Sequence, residues 1–179
     1  MDKLFWGLLL VLLDWRISLG SAVFDLVPDF LGYWLVYQGC IPLMEYSRYF
    51  VWAKSIAAVL SAYNGVLFVL DLFGISTQLA LLSLVLNGIC MVGSLVSIYW
   101  LVCGIRQMEL QRAWELAAVS LKTMWKFLSA LQLLCFVLSW IPLIGTLASL
   151  AGTIVSICFL AAFHKSRQLF AKNSILPNE

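Results

Sequence analysis

Asp14, Arg16, Asp25 and Asp29 fall close together in the stretch DWRISLGSAVFDLVPDF (14–30), between long apolar runs. Three carboxylates around one guanidinium can serve as a structural clamp held by charge-assisted hydrogen bonds, or as a polar site that touches an ion, a proton or a small ligand. Asp29 also follows Pro28 at what reads as a helix start, with Pro28 at the first helical position. There a carboxylate complements the positive end of the helix dipole without any further role. Asn64, Asp71 and Asn87 are the other polar residues set in apolar sequence, either along a polar route or in helix packing. As an intramembrane enzyme the chain offers only this one carboxylate cluster, and the sole histidine, His164, is far along the sequence.

The elements that must position these residues are hydrophobic. Of 179 residues, 63% are apolar and 11% charged, against about 25% charged in ordinary soluble domains. Runs such as LALLSLVLNGICMVGSLVSIYWLVCGI (79–105) exceed the ~20 residues needed to cross a bilayer. The solvent for this chain is lipid. The first apolar run carries no small-residue cleavage site, so it reads as a retained span rather than a signal peptide. Cys40, Cys90, Cys103, Cys135 and Cys158 all lie in apolar segments without a CxxC pair, the pattern of small lipid-compatible residues and not of a disulfide framework or a metal site. A net charge of +2 is too small to suggest a nucleic-acid partner, and none is expected. No phosphate loop, HExxH or GxSxG motif is present, so the sequence implies no cofactor and no catalytic residues.

Hydropathy predicts an all-α polytopic bundle of about six spans, at 4–19, 29–44, 53–73, 78–105, 125–141 and 143–163. With the N-terminus inside, Lys3, Arg48, Lys54, Arg106, Arg112, Lys122, Lys126, Lys165, Arg167 and Lys172 all fall on the cytoplasmic side, leaving Arg16 alone outside. Both termini are then cytoplasmic, and residues 1–179 form a single integral membrane domain. The outer turns GIST (74–77) and IPLIG (141–145) are tight and uncharged. The largest cytoplasmic connection, 106–127, has apolar residues at helical spacing. It reads as an amphipathic helix that either lies along the inner leaflet or extends spans four and five as a hairpin. Tyr46, Tyr49 and Trp52 beside Arg48 and Lys54 mark a second interfacial stretch. For both, anchoring is the favoured role over recognition.

Small and weakly polar residues let helices approach closely in lipid. Ser83, Asn87, Cys90, Ser94 and Ser97 form one such seam and Gly145, Ser149, Gly152 and Ser156 another, with Gly32, Gly39, Asn64 and Gly65 on spans two and three. At Asp14 a helix begun at Leu4 has risen only ~15 Å, half of a ~30 Å hydrocarbon core. Residues 14–28 therefore either fold back as an irregular segment, or continue the helix and bury Asp14 with a partner. In both arrangements the charges are paired, Arg16 with Asp25 or Asp29.

Asp14-Trp15-Arg16 followed by Asp25-Leu26-Val27-Pro28-Asp29-Phe30-Leu31-Gly32-Tyr33 resembles a pattern of small, uncharacterised multi-spanning bacterial membrane proteins, over about the first 40 residues. The resemblance implies a bacterial cytoplasmic membrane and no particular chemistry. The expected function is that of a non-enzymatic integral membrane protein acting through membrane partners, as an assembly, regulatory or immunity-type component. The alternative is a subunit of an oligomeric ion or small-solute transporter or channel using Asp14, Arg16, Asp25 and Asp29. Partners are the bilayer and a second copy or another membrane protein. The threading predicts that single cysteines placed at Ser76 and at Gln111, in a background lacking the native thiols, react with an impermeant reagent from opposite sides of the membrane. Labelling of both from outside refutes it.

Overall fold

The computed structural model describes residues 1–13, 16–19, 22–25, 28–72, 80–138 and 142–175, with backbone alone at 16–19, 22–25, 71–72, 80–84, 142–149 and 175. Among these are six α-helices: α1 (Asp2–Leu12), α2 (Asp29–Cys40), α3 (Tyr49–Leu72), α4 (Ala80–Arg112), α5 (Ala118–Leu138) and α6 (Pro142–Ile175). The chain is an all-α helical bundle, to which 16–25 adds one antiparallel ribbon, β1 (Arg16–Leu19) with β2 (Ala22–Asp25). Each helix packs on its neighbours in sequence, and α1 packs on α6. The six helices therefore form a closed up-and-down ring.

Among the described residues, three helices are long and apolar enough to cross a membrane: Tyr49–Leu70, Val85–Arg112 and Ala118–Leu138. The first two expected spans come out shorter than their hydropathy, because α1 has 11 residues and α2 has 12. At 1.5 Å per residue these rise only ~17 and ~18 Å. Leu13 at the end of α1 is extended and the charged stretch that follows leaves the helix for the ribbon. Among the described residues of 14–28 the helix does not continue, and 16–19 pairs with 22–25 as a ribbon where an irregular segment was one of the two expectations. The other end of α2 is set by Pro42, which has no N–H to give and turns Ile41–Leu43 into a short 3-10 helix.

Between α1 and α2 the backbones touch. A Cβ built on Gly7 would stand 2.7 Å from the Gly32 carbonyl oxygen and 2.7 Å from the Val36 nitrogen, and one on Gly39 would stand 2.8 Å from the Leu4 nitrogen. The contact pairs 7 with 36 and 4 with 39, an antiparallel seam that leads into the ribbon. Phe50 of α3 lies on Gly104 of α4 in a similar way, where a Cβ would meet its ring at 2.7 Å. Ser97 donates to the Ala53 carbonyl (3.5 Å), Ser61 to the Phe30 carbonyl (3.0 Å) and the Trp125 indole to the Leu95 carbonyl (3.1 Å), so weakly polar side chains stitch successive helices.

All six helices contribute to one buried apolar cluster that includes Leu4, Val36, Phe50, Ile105, Leu121 and Phe163. The cluster occupies the half of the ring nearest Lys3, Arg48 and Arg112. Towards the ribbon end, α3 to α6 turn large apolar side chains outward instead, among them Val66, Ile89, Val137 and Ile154, each more than half exposed. Gly7→Ala and Gly39→Ala should each cost about 1–3 kcal/mol by forcing the helices apart, and so lower the thermal midpoint in detergent. Gly65→Ala, where the nearest neighbour is 3.9 Å away, should leave it unchanged or raised. Equal effects at all three positions would remove the close α1–α2 contact as the cause.

Candidate functional site

Of the expected charge cluster, Asp14 lies outside the described residues. The ribbon register sets Arg16 directly opposite Asp25 along the backbone. Asp29 opens α2 and is exposed, while Pro28 is the residue before the helix and not its first member. Tyr33, one turn further along α2, is buried. Asp71 lies in the last turn of α3, at the end of the bundle that carries the ribbon. Asn64 donates to the Leu60 carbonyl of its own helix (2.8 Å), and Asn87 is exposed on α4.

The opposite end of the bundle holds an arrangement that the one-dimensional reading treated as anchoring. The alternating helix directions collect ten of the eleven Lys and Arg residues there, all but Arg16. Several are fastened to aromatic rings: Arg112 lies over Tyr46 (4.6 Å) and Trp114 (5.2 Å), Lys54 over Tyr37 (5.3 Å) and Arg167 over Phe5 (5.1 Å). Arg167 also meets Asp2 at 2.9 Å, and Phe5 packs against the His164 ring, which ties the start of α1 to the late turns of α6. Lys3 donates to Gln38 (2.8 Å) beside an open cavity of about 730 Å³ lined in part by Trp34 and Tyr37.

Residues 106–127 are not one amphipathic helix. They divide into the end of α4, a turn at 113–117 and the first half of α5, the hairpin form of the two that the sequence left open. Ala113 and Ala117 take left-handed backbone angles (φ 52° and 56°), which cost a residue with a Cβ about 1–2 kcal/mol each. Glu109 compensates at the second of these. Its two carboxylate oxygens accept from the N–H groups of Leu116 (3.3 Å) and Ala118 (3.1 Å), which have no partner inside α5.

Two signals in the sequence were passed over. RISL and AVFD separated by the dipeptide Gly20-Ser21 match a two-residue hairpin, and Glu109 precedes the start of α5 at a distance only a turn can close. Gly7 carried no signal, because a lone glycine in an apolar run does not reveal what faces it. Among the described residues no group of three or more metal-ligating side chains converges. Comparison with family models, with curated proteins and with solved structures finds no match.

Replacing Glu109 by Ala should therefore destabilise the α4–α5 hairpin by about 1 kcal/mol, the usual effect of a lost helix cap. Ala117→Gly should stabilise it by relieving the left-handed strain. Thermal unfolding of the two variants in detergent, moving in opposite directions, checks the assignment.

Proposed function

We propose that the chain is a small non-enzymatic integral membrane protein that acts through membrane partners, as an assembly, regulatory or immunity-type component. In this reading it crosses a bacterial cytoplasmic membrane six times, with both termini and the basic end of the bundle in the cytosol. The observation that carries it is the single apolar cluster, fed by all six helices, that fills the ring at its basic end. A path for an ion or solute needs polar groups or water along its length, and Phe50, Leu101, Ile105, Phe159 and Phe163 occupy that place, each almost wholly inaccessible.

The distribution of charge supports the orientation. Basic residues gather on the cytosolic side of membrane proteins, and ten of eleven lie at one end here. The ribbon supports it too, since each strand leaves one edge unpaired and such an edge is stable only in water or under protein cover, never against lipid tails. It therefore belongs at the outer surface. The exposed apolar side chains of α3 to α6 are the surface that lipid or a neighbouring membrane protein would cover.

Reconstituted into vesicles, the wild-type chain and its Asp29→Asn and Arg16→Gln variants should all show the same background ion and solute flux, and the variants should unfold at lower temperature in detergent. A flux present in wild type and lost in variants that keep their fold would replace this reading by the transporter one.

A further inference from the structure

At the basic end, Arg106 from late in α4 and Lys122 from the first turns of α5 line one cavity of about 290 Å³, with Tyr49 from the start of α3 on its rim. Among the described residues neither cation has an ion pair or a hydrogen bond. Glu109, three residues beyond Arg106, gives both of its oxygens to the start of α5. Ser47 donates to the carbonyl oxygen of the Gln107 side chain, so the amide nitrogen of Gln107 is a further donor among the lining groups. The cavity thus offers two charges and an amide to an anion that the protein itself does not supply.

The same face of α4 continues away from Arg106 through Cys103, Tyr99, Val96, Val92, Ile89 and Val85, at intervals of three or four residues. The four aliphatic residues are all exposed. From Val85 to Val92 this face meets Leu133 and Phe136 of α5 in a second cavity of about 480 Å³ with an almost wholly apolar lining. Val96 lies ~15 Å along the helix from Arg106, the depth of one leaflet of a ~30 Å hydrocarbon core. Between the two regions Tyr49 stacks on Trp100 (5.4 Å) and Tyr99 packs on Trp125 (4.9 Å), aromatic residues of the kind that sit at headgroup level.

A cationic cavity at one end of an exposed apolar helix face matches a molecule with a phosphate at one end and a hydrocarbon chain at the other. We propose that Arg106 and Lys122 hold the phosphate of an anionic phospholipid from the leaflet facing the basic end, with an acyl chain lying along the α4–α5 seam. The inference rests on the reading that α4 and α5 cross a bilayer. Free phosphate shares the headgroup chemistry but makes no use of the apolar face. Basic pockets between membrane helices on the cytosolic side bind anionic headgroups in this way.

The test uses the full chain purified in mild detergent, with lipid retention read by native mass spectrometry and thermal stabilisation read in parallel. Phosphatidylglycerol should bind at least about tenfold more tightly than phosphatidylcholine of the same chain length, each cation contributing about fivefold. Arg106→Gln with Lys122→Gln should abolish the preference. Lys126→Gln with Lys165→Gln, which removes the same charge from two exposed positions, should keep it, as should Arg106→Lys with Lys122→Arg. Equal losses in the two charge-removing pairs, no preference in wild type, or stabilisation by inorganic phosphate matching that by lipid would each overturn the site. Resistance of the chain to alkaline extraction from membranes tests the bilayer reading separately, so the two can fail independently.

Discussion

Where Gly7 faces Gly32 and Leu4 faces Gly39, two helix backbones are in direct contact, and the rest of the bundle is arranged around that contact. In lipid there is no hydrophobic gain in bringing helices together, so association depends on how closely they can approach. α1 and α2 are too short to hold each other by length, at 11 and 12 residues. They compensate by proximity. The seam fixes α1 beside α2, and it is α1 that closes the ring by meeting α6 through Phe5, His164 and the Asp2–Arg167 pair.

The two ends of the ring follow different rules. At the basic end the interior is packed with large apolar side chains and the rim is held by cations on aromatic rings, contacts that gain strength when partly removed from water. Toward the ribbon, the buried cluster thins and the helices present aliphatic side chains outward. A molecule built this way is closely packed at its basic end and leaves apolar side chains uncovered over much of its length towards the other. The turn at 113–117 belongs to the firm end, and its left-handed Ala117 is tolerated because Glu109 satisfies the N–H groups on either side of it.

The fold was largely legible in the sequence. Apolar runs marked six helices, Gly32 and Gly39 were singled out as packing residues, and Ser94 and Ser97 do lie buried in the α3–α4 region. The early helix ends of α1 and α2 were not legible, because hydropathy registers apolar residues without distinguishing a helix from a strand of similar composition, and Ile17, Leu19, Val23 and Phe24 suit either. Of the charge cluster, Arg16 and Asp25 stand opposite each other along the ribbon backbone, a register that hydropathy does not give. That Asn64 donates to a carbonyl of its own helix was not legible either, because spacing along the chain does not give a side chain's partner.

By itself the sequence determined that this chain consists of apolar helices and that its cations gather at one end, since both are consequences of composition and of spacing along a single dimension. Only the tertiary structure decided that Gly7 is the position where no side chain fits, that Glu109 serves a helix to which it does not belong, and that Arg106 and Lys122 share a cavity. Each of these depends on which distant residues become neighbours, and close packing in three dimensions sets that, not the local pattern of residues on either side.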